Sequence, residues 1–244
     1  MDHILQKAIG RGQSALSEHD AKQVIASIGI AVTREKLARS REEAVAIALE
    51  IGYPVVLKGC SDKAAHKTEL GLVKLKLGSA AEVMQAYDDI TGRADGLDGV
   101  LVQEMLQGER EFVIGMTRDP HFGACVMFGI GGIFTEVIKD VTFRVAPLTD
   151  EDAEEMLDEI KLRKLLNAFR GSPAVDRPAL VKALVGIGNL AHRCADIAQI
   201  DINPLIICGS RPVAADALVV LNTPGAVAET PLSFDNDNTD TLVA

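Results

Sequence analysis

Residues 52–59 read GYPVVLKG. A glycine–proline entry, then Val55, Val56 and Leu57 in an unbroken run, describes a short buried strand over 54–59. Lys58 comes where the run ends, which sets a positive charge at the rim of a sheet. A phosphate needs such a charge on rigid backbone; the plain alternative is a lysine that snorkels at a strand end. The flanks of this stretch decide the fold class. Just before it, residues 40–52 read as a helix, with Ser40 and Glu43 at capping-box spacing, Ala44, Ile47, Ala48 and Ile51 on one face, and Gly52 as the stop. The same grammar appears at 17–29. Ser17 caps, Asp20 completes the box, Ala21, Val24, Ile25 and Ile28 form the stripe, and Gly29 ends it. A short strand is expected at 30–32. Downstream, LVKLKL (72–77) alternates as a strand, Ser79 with Glu82 opens a helix through Ile90, and VLVQEM (100–105) is a further buried strand. Short strands alternating with capped helices make this an α/β or α+β chain.

The second half changes character near residues 107–108. Strands at 111–116 and 124–128 are joined by TRDPHFG, a connector of hairpin length, and strands at 134–139 and 142–146 continue the sheet. Thr149 with Asp152 caps a helix carrying Ala153, Met156, Leu157 and Ile160. Another helix covers about 177–195, and strands at 199–208 and 212–221 close the domain. Four regions are expected: an N-terminal extension (1–16), a first lobe (17–107), a second lobe (108–222) and a polar tail (223–244) with the composition of disorder.

Bulk composition removes several function classes. The 244 residues carry a net charge of −10, which does not suit a nucleic-acid binder, and 4% aromatics without tryptophan leave no base-stacking platform. No apolar run reaches the about 20 residues that span a bilayer, so no membrane is expected. Residues 1–12 do not read as a signal peptide. Four scattered cysteines form no CxxC pair, which argues against zinc or disulfides and for a reducing cytoplasm.

Three further segments carry chemistry. SDKAAHKTELG (61–71) is a polar loop between two strands with His66 in its middle. A loop histidine is usually solvated, yet histidine also forms covalent phosphoryl intermediates, and Lys58, Lys63 and Lys67 stand close in sequence to offset the charge. FGIGGIFTE (128–136) holds Gly129, Gly131 and Gly132, which permit the close backbone approach that anion-binding loops use, or simply a hairpin turn. DINPLI (201–206) and AADA (214–217) supply Asp201, Asn203 and Asp216. Such oxygens suit Mg²⁺ shared with nucleotide phosphates. Asp201 and Asn203 are two apart, hence on one face of a strand, and Pro204 breaks the ladder at a bulge or edge.

Seven segments occur in one order: LSEHDAK (16–22), GYPVVLK, HKTELG, LVQEM, GIGGIFTEV, APLT and DINPL. Together they resemble the β-type, ATP-grasp part of ADP-forming acetyl-CoA synthetases, with succinyl-CoA synthetase a more distant relative. The resemblance runs from about residue 16 to 221. It implies an ATP-grasp fold of two α+β lobes enclosing ATP or ADP with Mg²⁺. Lys58 is implied on the α- and β-phosphates. Glu104, Met105 and Leu106 are the hinge at adenine, with Glu111 near the nucleotide. Asn203 and Asp216 are implied as Mg²⁺ ligands, Asp201 as support for an incoming phosphohistidine, and His66 as a second histidine that relays the phosphoryl group. Where the family commonly has paired glycines after the His66 loop, this chain has Gly71 and Leu72, and a leucine there would stiffen the loop.

The resemblance also implies a partner. A CoA-binding α-type subunit bearing the primary phosphohistidine has no room in these residues, so a hetero-oligomer is expected. Two other classes stay compatible: a stand-alone ATP-grasp carboxylate ligase working through an acyl phosphate, and a non-catalytic nucleotide-sensing subunit. His66 speaks against the first; Lys58, Asn203 and Asp216 speak against the second.

Overall fold

The computed structural model describes residues 1–61, 71–94, 96–131 and 140–222. Five of its described helices begin where side chains cap them. Ser17, Ser40, Ser79, Thr149 and Asp176 accept hydrogen bonds from the backbone amides of Asp20, Glu43, Glu82, Asp152 and Ala179, opening α2 (Glu18–Ser27), α3 (Arg41–Ile51), α4 (Ala80–Thr91), α5 (Asp150–Glu159) and α6 (Arg177–Arg193). Each cap satisfies an amide the helix itself leaves unpaired, worth about 1 kcal/mol. Gly29 and Gly52, at φ +91° and +96°, turn the chain out of α2 and α3, a conformation costly to other residues. A further helix, α1 (Asp2–Gly10), precedes them.

Two antiparallel sheets result. The smaller has the order β1–β4–β2–β3, built from β1 (Glu35–Ala38), β2 (Val55–Cys60), β3 (Val73–Leu77) and β4 (Gly99–Glu104). Val55, Leu57, Val100 and Val102 point from it into a core closed by Ala44, Ile47 and Ala48 of α3 and Val83, Ala86 and Ile90 of α4. The larger sheet runs β10–β8–β5–β6–β7, from β5 (Glu111–Asp119), β6 (Gly123–Ile130), β7 (Val141–Val145), β8 (Ile197–Cys208) and β10 (Leu218–Leu221), with β9 (Arg211–Ala214) also on β8. Phe112, Ile114 and Met116 of β5 and Ile200, Ile202 and Leu205 of β8 meet α5 and α6 in the larger core.

Four expectations change. Residues 30–32 form no ladder beyond a parallel bridge from Val32 to Ala214, and the strand is β1 instead. β1 is a short edge strand of mixed polarity, EKLA, so its pairing with β4 rather than an apolar run defines it. The single strand expected at 212–221 is two, β9 and β10, interrupted at Ala215–Ala217. Apolar residues of α1 and α2 (Leu5, Ala8, Ala21, Val24 and Ile25) are buried in the larger core rather than the smaller one. β3 begins at Val73; Leu72, the residue that departs from paired glycines, is a fully buried core side chain. The strand expected at 134–139 lies outside the described residues.

A buried arginine ties down the junction between the sheets. The Arg110 guanidinium donates to the carbonyls of Leu165 (3.1 Å), Asn167 (3.2 Å), Pro173 (2.8 Å) and Gly209 (3.0 Å). Four carbonyls from three separate segments converge on one cation, so the start of β5 is tied to residues 165–173 and to the turn at Gly209.

Candidate functional site

Lys58 lies inside β2, in register with Leu101 of β4 and Val73 of β3. It is therefore not the strand-rim charge expected from its run. Val55 and Leu57 fill the smaller core, so strand alternation turns Lys58 to the opposite face, toward the larger sheet. There it is 6% exposed. Its Nζ donates to Glu18 Oε1 (2.7 Å), the Ala215 carbonyl (2.9 Å) and Asp216 Oδ2 (3.2 Å). Burial works against the ammonium, but the carboxylates of Asp216 and Glu18 outweigh it and leave its pKa above the ordinary lysine value.

Beside it stands a second lysine that the motif LSEHDAK contained but did not flag as chemistry. Lys22 is 1% exposed. Its Nζ reaches Glu18 (2.9 Å), Glu35 (2.7 Å), Gln103 (2.7 Å) and Thr33 (3.0 Å). The signal available in sequence was the i,i+4 spacing of Glu18 and Lys22 on α2. That spacing is common on exposed helices, so it did not distinguish a buried network.

The carboxylates come from the larger sheet. β5 pairs with β8 through Phe112–Leu205 and Ile114–Ile202, so Asn203 and Pro204 together oppose Val113 in a bulge, as Pro204 suggested. Ile200 and Ile202 enter the core, which puts Asp201 on the other face. The register of β8 with β9 (Leu205–Ala214) continues unchanged into β10 (Asp201–Leu218). The break at Ala215–Ala217 therefore falls across from Ile202–Pro204, and Asp216 stands opposite Asn203. The Ala215 amide donates to the Pro204 carbonyl at 3.0 Å, closing this gap. Asp216 Oδ1 accepts from the Ala217 amide at 2.8 Å and its side chain is 40% exposed. Asn203 is exposed. Asp201 Oδ1 is buried with no hydrogen-bond partner among the described residues. Burial first, and the neighbouring Asp216 charge second, push the Asp201 carboxyl up to about 6.

The chain crosses between sheets at residues 105–110. Glu104 ends β4, and its carboxylate is held by Arg34, through the backbone amide at 2.7 Å and the guanidinium at 2.9 Å. Met105 and Leu106 follow, half-buried, and Glu111 opens β5, half-buried too. The Glu111 carbonyl accepts from the Gly131 amide at 2.8 Å. A Cβ at Gly131 would overlap the Phe112 backbone, and one at Gly129 would lie 2.6 Å from the Asp140 carbonyl. These two glycines are required for the glycine-rich segment to lie this close to β5 and β7. The rest of that segment, from Gly132 to Glu136, lies outside the described residues, as does His66.

The structure thus brings Lys58, Asp216, Asn203 and Asp201 to one seam between the sheets, with the 104–111 crossing at its edge. Among the described residues no group of three or more His, Cys, Asp or Glu is placed to hold a metal by itself. A hard cation here would take few protein oxygens and complete its shell elsewhere, as Mg²⁺ does with nucleotide phosphates. The Asn203 side chain, exposed, and the Asp216 carboxylate, part-exposed, fit that role.

An ATP-grasp domain model matches residues 7–221. The chain is 42% identical over 224 residues to the ADP-forming acetate–CoA ligase I subunit beta of Pyrococcus furiosus, covering 89% of this chain and 96% of that one. It is 36% identical to the ADP-forming acetate–CoA ligase I of Archaeoglobus fulgidus, covering 90% of this chain but 33% of that longer protein. The dinucleotide-forming acetyl-coenzyme A synthetase 1 of Ca. Korarchaeum cryptofilum, solved with coenzyme A and Ca-AMPCP, superposes with a TM-score of 0.85 at 44% identity, over 90% of this chain and 98% of that one. The same protein has been solved with Mg-AMPPCP and its phosphohistidine segment pointing towards the nucleotide site, and with that segment phosphorylated in another orientation. The chain belongs to the ATP-grasp family, among the β subunits of ADP-forming acetyl-CoA synthetases.

Proposed function

We propose that this chain is the nucleotide-binding subunit of an ADP-forming acyl-CoA synthetase, which couples acyl-CoA, ADP and phosphate to carboxylate, CoA and ATP. The observation that carries the reading is the seam where Lys58 of one sheet meets Asp216 and Asn203 of the other. In the ATP-forming direction a phosphohistidine enters this seam. Its P–N bond breaks, the nitrogen keeps the electron pair, and a β-phosphate oxygen of ADP forms the new P–O bond. Catalysis of such a transfer is positioning and charge stabilisation. Lys58 supplies a fixed positive charge toward the α- and β-phosphates. Asn203 and Asp216 hold Mg²⁺, which when bound offsets phosphate charge. Met105 and Leu106, with Glu104 clamped by Arg34, form the wall at adenine, and Glu111 borders it. Asp201 supports the incoming imidazole, and His66 relays the phosphoryl group from the partner.

The partner is an α-type unit; the Pyrococcus relative is itself a subunit beta, and the Archaeoglobus relative is a longer protein of which this chain covers 33%. We assign to the partner the CoA site and the primary phosphohistidine. No described helix is long and apolar enough to cross a membrane, and we assign the subunit to the cytoplasm.

Calorimetric titration with ATP and Mg²⁺ tests the site. Lys58→Met should weaken binding roughly tenfold to a hundredfold, the worth of one charged hydrogen bond. Asp216→Asn should raise the Mg²⁺ requirement and leave metal-free nucleotide binding nearly unchanged. Wild-type curves in both folded variants would refute the assignment.

A further inference from the structure

We infer that Glu18 is a positioning residue: it keeps Lys58 in place when Asp216 turns from the lysine to the metal, and Lys22 in turn holds Glu18. The inference rests on the reading that Lys58 serves the phosphates and Asp216 the Mg²⁺.

Among the described residues Lys58 has two carboxylate partners of different character. Glu18 lies at 2.7 Å with a side chain 1% exposed, and Asp216 at 3.2 Å with one 40% exposed. Asp216 Oδ1 is already engaged by the Ala217 amide, so Oδ2, the oxygen shared with Lys58, is the one open to a cation. A divalent ion on Oδ2 repels the ammonium beside it. Without another anion, a buried lysine would be left with only the Ala215 carbonyl, and it would tend to hold on to Asp216 and compete with the metal. Glu18 removes that conflict, because the lysine keeps a charged partner after Asp216 leaves.

Glu18 is itself held in position. Its Oε1 also accepts from Lys22 at 2.9 Å. Lys22 is fixed by Glu35 of β1 and Gln103 of β4, strands of the same sheet that carries Lys58. α2 is anchored in the larger core through Ala21, Val24 and Ile25. The Lys58–Glu18 bond therefore joins the body that carries Asp216 to the sheet that carries the lysine, and it does so without using any group assigned to the metal.

The test reads the Mg²⁺ concentration that half-saturates nucleotide binding in the full chain, using AMPPCP. Glu18→Gln leaves Asp216 as the lysine's one carboxylate partner among the described residues, and the requirement should rise roughly tenfold, the worth of one charged hydrogen bond. Lys22→Met removes one of the cations that hold Glu18 but leaves the Lys58–Glu18 bond, so the requirement should rise by less than in Glu18→Gln. A merely structural role would lower the melting temperature of both variants and leave both Mg²⁺ curves on the wild type. An unshifted Glu18→Gln, or a Lys22→Met shifted upward as far as Glu18→Gln, overturns the inference. Asp216→Asn runs in parallel: if it too is unshifted, the metal assignment has failed, whereas a shift there alone sinks only the role of Glu18. Should the buried variants not fold, the wild-type crystal structure with Mg²⁺ and AMPPCP decides. Lys58 should remain hydrogen-bonded to Glu18 and have left Asp216. A lysine that has left Glu18, or still holds Asp216, overturns the inference.

Discussion

Asp201→Asn should stabilise the metal-free chain, and by an amount that depends on pH. The Asp201 carboxyl sits at about 6 in the folded chain against an ordinary value of 3.8, through burial and the nearby Asp216 charge. The folded state thus holds this proton more tightly than the unfolded one. Its stabilising contribution is fully present below about 3.8 and is lost as pH rises through about 6. Moving a carboxyl this far corresponds to about 3 kcal/mol, a ceiling that relaxation and water entry reduce to roughly 1–3 kcal/mol. Asparagine keeps the shape and cannot titrate. The difference between variant and wild type should therefore be small below about pH 3.8, reach about half its full size by about pH 5 and be complete by about pH 8. In a chain of this length that is roughly 3–10 °C in melting temperature. Scanning calorimetry in chelator from about pH 3.5 to 8 measures it. A constant offset arising from the amide's own hydrogen bonds is irrelevant, because the slope is the readout. In an Asp216→Asn background the slope should move to lower pH, since one of the two causes is gone. A difference that stays flat across this range would refute the account of Asp201 as a buried carboxyl beside a second charge.

Three other outcomes follow from particular contacts. Gly131→Ala should cost about 1–3 kcal/mol in urea denaturation, because its Cβ would overlap the Phe112 backbone; Gly10→Ala, where a Cβ meets nothing within 4 Å, is the harmless control. Arg110→Lys should cost about 2–4 kcal/mol by the same measurement, since one ammonium cannot serve four carbonyls spread over three segments. Radiolabelled ATP with Mg²⁺ and the α-type partner should leave an acid-labile label on this chain, and His66→Asn should abolish it while nucleotide binding persists; a wild-type chain that never carries label would remove the relay role.

Much of the fold was legible because its signals are local. A cap needs only a hydroxyl and an amide three residues away, so Ser17, Ser40, Ser79 and Thr149 marked helix starts without knowledge of the rest. The glycine stops at Gly29 and Gly52 and the bulge at Pro204 were readable for the same reason. β1 was missed because EKLA has no period of its own and becomes a strand only through β4. The division of 212–221 into β9 and β10 was missed because every residue there is compatible with one strand, and only pairing with β8 shows the gap.

The sequence by itself determined that an α+β chain carries lysine, amide and carboxylate motifs in the order of an ATP-grasp subunit. Motif order is a property of the chain and survives without coordinates. Only the tertiary structure decided how those groups meet. Lys58 points away from its own core because Val55 and Leu57 take the other face. Asp216 stands opposite Asn203 because one register continues across a broken strand. Lys22 reaches Gln103, 81 residues away, because α2 is buried in the larger core and set against the smaller sheet. Such meetings depend on the packing of two bodies and on strand registers, which no window of neighbouring residues contains.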